Sequence, residues 1–81
     1  SWENIDYQIP IKLSLEKEIY LINKNVFNHS VIKKNENNNL LKLEINTYDV
    51  SGLLKFLLLT NPKKISLKKK HKTLLLEELN G

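Results

Sequence analysis

The stretch "LKLEINTYDVSGLLKFLLLTNP", residues 41–62, contains the change of hydrophobic period that decides the fold. Its first part alternates Leu41, Leu43 and Ile45 with polar residues, which predicts a strand buried on one face. In its second part, apolar residues recur at helical spacing, namely Val50, Leu53, Leu54, Leu57 and Leu58. Asp49 is a favourable N-cap, and Asn61-Pro62 ends the helix. The stretch therefore predicts a strand followed directly by a helix.

The flanking sequence adds further elements on both sides. "IPIKLSLE", residues 9–16, has the same alternation and predicts a first strand. A helix from about Lys17 to Asn25 follows, and its inward face is predicted to carry Ile19, Ile22 and Val26. Residues 30–49 then read as a hairpin with its turn in the asparagine-rich stretch Asn35 to Asn39. After residue 62 the pattern predicts a short strand, Ile65 to Leu67, and a last helix from about Lys70 to Asn80.

This order of elements predicts an α+β fold of the ferredoxin-like βαββαβ type, with a four-stranded antiparallel sheet plus a C-terminal helix. Both main helices are expected on one face of the sheet, which leaves the other face open. The expected core includes Leu13, Leu43, Leu54, Leu57 and Leu75. We expect a lead-in segment at residues 1–8 and one domain at 9–81. Because the chain contains no methionine, we also expect it to be excised from a longer protein.

Composition narrows the function classes. The chain has 81 residues and no cysteine, which excludes disulfides and thiolate metal sites. The two histidines, His29 and His71, are far apart in sequence, so we expect no metal and no cofactor. No apolar run reaches the ~18 residues of a membrane span and no signal peptide opens the chain, so we expect a cytoplasmic protein. All 13 basic residues are lysine, which supplies charge without the bidentate geometry of arginine.

The segment "LLKLEINTYDVSGLLKFLLLTNPKKISL", with "LLLEEL" after it, resembles the C-terminal extension (WCX) domain of bacterial WYL-domain transcriptional regulators. Phe56 stands where that family usually has tryptophan, and "IKLSLEKEIYLINKNVFNHSVI" is similar to the family's first strand, helix and return strand. The chain departs from the family at Asn61-Pro62 and at Leu67-Lys68-Lys69, where glycine and proline are common. The resemblance implies a ferredoxin-like module that supports dimerisation and ligand sensing. The implied partners are a second copy of the chain and the WYL and winged-helix domains of a parent regulator, which binds DNA.

The lysine-rich stretch "NPKKISLKKKHK", residues 61–72, is the candidate site. If Ile65 and Leu67 point to the core, Lys64 and Lys68 face outward on the open sheet face. Lys12 and Lys42 would join them from neighbouring strands, with Lys69 following Lys68. One interpretation is a solvated face whose lysines protect an edge strand. The other is a patch that follows the phosphates of single-stranded nucleic acid.

Other kinds of site find less support. The outward positions of the central strands hold no aromatic residue until Tyr48 at a strand end, which disfavours base-stacking recognition of the RNA-binding type. No glycine-rich phosphate loop, paired carboxylates or nucleophile–base pair indicates an enzyme, and we interpret His29 beside Ser30 as a polar loop pair. Phe56 and Leu59 lie off the helical stripe, so they are either covered within the chain or form a subunit contact.

Together these patterns predict a non-catalytic C-terminal module of a WYL-type transcriptional regulator. The alternative is a stand-alone ferredoxin-like module that binds a small molecule or nucleic acid. The candidate ligand residues are Lys12, Lys42, Lys64, Lys68 and Lys69, and the candidate interface residues are Phe56 and Leu59.

Overall fold

The computed structural model describes residues 8–81. Apart from Gln8, the predicted lead-in segment therefore lies outside the described residues. The strands are β1 (Ile9–Glu16), β2 (Ser30–Asn37), β3 (Leu40–Thr47) and β4 (Lys64–Leu67). The helices are α1 (Lys17–Asn23), α2 (Val50–Thr60) and α3 (Lys69–Asn80), and a 3-10 turn at Lys24–Val26 follows α1.

The four strands form one antiparallel sheet in the order β2-β3-β1-β4. β1 and β2 run in the same direction with β3 between them, because each is antiparallel to β3. The predicted α+β class and the four-stranded antiparallel sheet are thus confirmed. The predicted last helix is present as α3, which brings the helices in residues 8–81 to three.

The core is built on the alternating residues of the two central strands. Leu13 of β1 lies opposite Leu43 of β3, and Ile11 lies opposite Ile45. Opposite residues in antiparallel strands project from the same face, so these pairs form one continuous apolar surface. All four are buried under the helices, together with Leu75 of α3. Burying each such side chain stabilises the fold by about 1.5–3 kcal/mol.

The β2–β3 hairpin turns at two asparagines. Asn38 and Asn39 connect the strands, and Asn38 has a φ of 58°. Asparagine enters this left-handed region more easily than most residues, because its side chain bonds to the local backbone. The turn is narrower than the predicted Asn35 to Asn39, and Asn35 pairs with Lys42 in the ladder.

The predicted inward face of α1 is wrong at Ile22, whereas Ile19 and Val26 pack against the core as predicted. Tyr20 is the buried residue of this helix, whereas Ile22 is 79% exposed. Tyr20 can be buried because its hydroxyl lies 2.8 Å from His29 Nε2 and its ring meets Phe56 edge-on. Burial raises the pKa of Tyr20. The helix also ends at Asn23, earlier than the predicted Asn25, and continues as the 3-10 turn.

The predicted ends of α2 are confirmed. Asp49 caps the N-terminus, since its Oδ1 accepts a hydrogen bond of 2.8 Å from the Gly52 backbone N–H. At the other end Asn61 adopts the left-handed conformation, with φ 45°, and its N–H donates to the Leu57 carbonyl at 2.9 Å. Pro62 follows and cannot continue the helix.

The phase of α2 differs from the prediction. Its buried residues are Leu53, Phe56 and Thr60, whereas Leu54 and Leu57 pack against the core with part of their surface exposed. The helix is rotated toward Phe56 because that ring completes an aromatic cluster. Thr60 can be buried in the last turn because its hydroxyl donates to the Phe56 carbonyl at 2.8 Å.

The C-terminal elements lie at one edge. Ile65 of β4 is opposite Leu13, on the helix-covered side, but it remains 46% exposed because β4 is an edge strand. Ile65 therefore points to the side that the helices cover, as the interpretation of the lysine stretch requires, but it is only partly covered. α3 packs mainly against α2 and buries His71 and Leu75.

Candidate functional site

The sheet face opposite the helices carries a broad concavity. Its volume is about 550 Å³, and every residue that lines it belongs to one of the four strands. Four lysines surround a central serine there: Lys12, Lys33, Lys42 and Lys64 around Ser14. We call these five residues the lysine face. No helix residue lines the concavity, so the face is open.

Strand register brings these residues together. Ser14 of β1 lies opposite Lys42 of β3 on one side and Lys64 of β4 on the other. One step along the strands, Lys12 lies opposite Glu44, and Glu44 lies opposite Lys33 on β2. Side chains opposite each other have Cβ atoms ~4.5–5.5 Å apart, and diagonal neighbours are only ~7–8 Å apart. The lysines therefore act on one common volume.

Ser14 lies at the base of the concavity. It is buried, although it projects on the side that the helices leave open. Its main-chain carbonyl accepts a 2.7 Å hydrogen bond from the Lys63 N–H, which fixes the start of β4 against β1. Within residues 8–81 its hydroxyl makes no hydrogen bond. The hydroxyl is thus a small hydrogen-bond donor in the same concavity as the four lysines.

No lysine of the lysine face forms a salt bridge within the described chain. In residues 8–81 the one salt bridge joins Lys17 Nζ to Glu36 Oε2 at 3.1 Å, and neither belongs to this face. Glu44 is the single acid that lines the concavity. Four lysines against one acid leave the concavity with an excess of positive charge, which attracts counter-ions. The arrangement can therefore hold an anion without first breaking ion pairs.

The predicted ligand residues divide into three groups. Lys12, Lys42 and Lys64 meet on the lysine face. Lys68 lines an adjoining concavity of about 260 Å³, which shares Lys12, Glu44 and Ser66 with the first. Lys69 is the first residue of α3 and lines neither concavity, so the structure does not bring it to the face.

Sequence reasoning missed Lys33. Its position follows from the hairpin register, because counting back from the turn at Asn38–Asn39 pairs Lys33 with Glu44. A register irregularity between Val31 and Lys33 breaks the alternation of β2, which removes the usual strand signal. An exact turn position would have been enough to find this residue.

The predicted interface residues have different outcomes. Phe56 is completely buried, with its ring centre 4.7 Å from that of Phe27. It therefore cannot form a subunit contact, and that prediction is wrong. Leu59 is 55% exposed on α2, next to the exposed Leu58, and its role in an interface stays a prediction.

The two histidines are in different environments. His29 Nδ1 donates to the Phe27 carbonyl at 3.1 Å, and Nε2 accepts from the Tyr20 hydroxyl. Both ring nitrogens of His29 are thus used to hold the loop before β2. His71 is buried with neither ring nitrogen hydrogen-bonded in the described chain. Burial lowers the pKa of His71, and the nearby charges of Lys70 and Lys68 lower it further.

Residues 8–81 contain no group of three or more side chains suited to hold a metal ion. Of the helices described, none has the length and apolar character needed to cross a bilayer. The chain matches no family model, no curated protein and no solved structure. The lysine face is therefore interpreted from its own geometry.

Proposed function

We propose that the chain is a non-catalytic binding module whose lysine face holds the phosphate backbone of single-stranded nucleic acid. The observation that carries the proposal is the ring of lysines around Ser14, without a salt bridge in the described chain, on a face that no helix covers. Ammonium groups on flexible stems hold phosphates as point charges, and the Ser14 hydroxyl adds a hydrogen-bond donor.

An extended polyanion suits this face better than a single small anion. The lysines lie on all four strands, and Lys68 continues the charge into the adjoining concavity. Adjacent strands are ~4.8 Å apart, so the charged surface spans ~14 Å across the sheet. A strand of several phosphates can neutralise all these lysines at once, and each neutralised phosphate releases a counter-ion.

The chemistry of lysine favours binding with little sequence preference. Arginine, which makes the commonest base-specific contact, is absent from the chain. Lysine contacts to phosphate set register and affinity but carry no direct sequence information. The lysine face would therefore detect the presence of a single-stranded nucleic acid rather than its base sequence.

The proposal places the domain in the ferredoxin-like class, as the C-terminal module of a cytoplasmic WYL-type regulator. Read from the β4 edge, the strand order is β4-β1-β3-β2. The strands β1 and β2 run parallel to each other and are separated by β3. This interleaving supports a split βαβ arrangement. The sequence pattern around Phe56 supports the regulator context. In that context, binding of single-stranded nucleic acid to this domain would be the signal transmitted to the DNA-binding domains.

Exposed leucines favour dimerisation as a second function. Leu58 is 68% exposed and Leu59 is 55% exposed on adjacent positions of α2. Leu76 and Leu79, which are three residues apart on α3, are also exposed, and α3 packs against α2. A helical layer with this many exposed leucines suits contact with a second copy of the chain.

The test is the salt dependence of binding to hexathymidylate, measured by fluorescence anisotropy on the 81-residue chain. Wild type is compared with the triple variant Lys12→Gln, Lys42→Gln, Lys64→Gln between ~50 and 200 mM salt. Each phosphate contact contributes ~0.7 to the slope of log K against log salt for single strands, so the triple variant should flatten it by about two units.

The matched control is Lys24→Gln, Lys55→Gln, Lys72→Gln, which removes the same charge from exposed positions off the lysine face. Its slope should stay close to that of wild type. Equal loss of slope in both triple variants would mean that only net charge matters, and the proposal would be abandoned. Absence of salt-dependent binding by wild type would have the same consequence.

A further inference from the structure

A third concavity lies at the end of the sheet where β3 passes into α2. Its volume is about 430 Å³. Its lining is largely polar and comes from the loop before β2, the start of β2, the end of β3 and the β3–α2 connection, and it includes Asn28, Ser30, Asn46, Thr47, Tyr48 and Asp49. We call it the terminal concavity. Asn46 also lines the concavity that holds Lys68, so a continuous surface leads from the lysine face to the terminal concavity.

Hydrogen bonds hold the walls of this concavity in place. The Thr47 hydroxyl donates to the Asn28 carbonyl at 2.5 Å and accepts from the Asp49 N–H at 2.9 Å. The Asn28 N–H donates in turn to Asp49 Oδ2 at 3.3 Å. The loop before β2 is thereby tied to the end of β3, which makes the concavity pre-formed.

The lining retains hydrogen-bonding capacity for a ligand. The side chains of Asn28, Ser30 and Asn46 make no hydrogen bond within residues 8–81. Their two amides and one hydroxyl offer both donors and acceptors. Such a set matches the mixed edge of a nucleobase better than it matches a purely accepting phosphate.

The charge and the aromatic content of the terminal concavity also favour a nucleobase over a phosphate. The terminal concavity contains no lysine, and the Asp49 carboxylate at its wall disfavours a phosphate. Tyr48 is 51% exposed, and among the aromatic residues in 8–81 it alone is exposed. An exposed aromatic ring is a stacking platform for a base, and stacking tolerates any base because each has a π-face.

We propose that the terminal concavity is a base-binding subsite, in which Tyr48 stacks on a base and Asn28 and Asn46 bond to its edge. This inference rests on the proposed function, since the bound nucleic-acid strand reaches the subsite while its phosphates lie on the lysine face. From Lys42 to Tyr48 the chain advances six positions, which is ~20 Å at the rise of a strand. A single strand advances ~3.4 Å per stacked nucleotide, so about six nucleotides span both regions.

The experiment compares hexathymidylate with an abasic hexamer that carries the same phosphates. Anisotropy titrations at low salt are run on the 81-residue chain as wild type, Tyr48→Leu and Tyr48→Phe. Wild type should bind hexathymidylate about 5- to 150-fold more tightly than the abasic strand, which is the factor expected for one base–aromatic stack. Tyr48→Leu should lose that preference but keep the abasic affinity and the salt slope, whereas Tyr48→Phe should keep the preference.

Two results overturn the inference and are distinguishable from failure of the proposed function. If wild type binds both probes equally with a salt slope that depends on the lysine face, the base subsite is rejected and the phosphate site stands. The same holds if Tyr48→Leu retains the base preference. If neither probe binds in a salt-dependent way, both proposals fail. Far-ultraviolet circular dichroism checks that both variants are folded.

Discussion

Lys64 of β4 lies directly opposite Ser14 of β1, although the two residues come from opposite ends of the described chain. Lys42 of β3 lies opposite the same serine from the other side. The site therefore depends on the strand order, because only a sheet with β1 between β3 and β4 places a serine between these two lysines. In this way the fold determines the chemistry of the lysine face.

The phase of α2 can be tested by two neighbouring substitutions. Leu53 is completely buried, whereas Leu54 only flanks the core. Leu53→Ala should lower the free energy of unfolding by about 2–5 kcal/mol, because it removes buried methyl groups and leaves a cavity. Leu54→Ala should cost clearly less, as measured by urea denaturation of both variants. A larger loss for Leu54→Ala would restore the helix phase predicted from the sequence.

Gly52 is predicted to tolerate no larger side chain. A Cβ at this position would lie 2.6 Å from Phe27 Cβ and would also overlap the Asp49 carboxylate that caps the helix. Although alanine is a better helix former than glycine by ~1 kcal/mol, Gly52→Ala should destabilise the protein by ~1–3 kcal/mol. Ser51→Ala, at an exposed neighbouring position, is the control. A Gly52→Ala variant as stable as wild type in urea would argue against this contact.

His71 should make the protein less stable in mild acid. Its pKa is lowered in the folded state, mainly by burial and also by Lys70 and Lys68, and α2, which packs against α3, carries only Lys55 as an ionisable residue. The unfolded chain therefore binds a proton more readily. Stability is then lost as the pH falls from the ordinary histidine pKa of ~6.5 toward the lowered value.

The measurement is the free energy of unfolding of wild type and His71→Leu at several pH values between ~5 and 7.5. Subtracting the two curves removes the contributions of the groups that both proteins share. Wild type should weaken relative to the variant as the pH falls. Parallel curves would mean that His71 has the same proton affinity in the folded and unfolded chains.

Dimerisation through the helical layer predicts a concentration-dependent mass. Sedimentation equilibrium of the wild-type chain should show a dimer, and Leu58→Glu with Leu59→Glu should shift it to monomer, because charged side chains cannot be buried unpaired. Since both leucines are exposed, the fold should be retained. A monomeric wild type at high concentration would rule out this surface as a self-association site for the isolated chain.

The sheet was more predictable than the helices. The alternation in β1 and β3 has a period of two, and a sheet buried on one face allows only one assignment of inward residues. In α2, leucines at five positions surround much of the helix, so the wheel alone does not determine its phase. The choice is made by Phe56 meeting Phe27 at 4.7 Å, which is a contact with a distant part of the chain.

The site was predictable to the extent that the register was. Lys12 and Lys42 follow from alternation, because each lies between inward residues of its own strand, and Lys64 follows because it directly precedes the inward-facing Ile65. Lys33 does not, since β2 is exposed along its whole length and offers no apolar rhythm. The burial of His71 also left no sequence signal, because it depends on where α3 packs rather than on the residues beside it.

The most direct test of the central claim is to observe the individual lysines while a strand binds. Reductive dimethylation with ¹³C keeps the charge of each lysine and gives each a methyl signal, which single Lys→Gln variants assign. On addition of hexathymidylate, the signals of Lys12, Lys33, Lys42 and Lys64 should shift and saturate together. Those of Lys24, Lys55 and Lys72 should stay in place. Equal shifts of the signals of Lys24, Lys55 and Lys72 would contradict the account. Saturated binding without a shift of the lysine-face signals would contradict it as well.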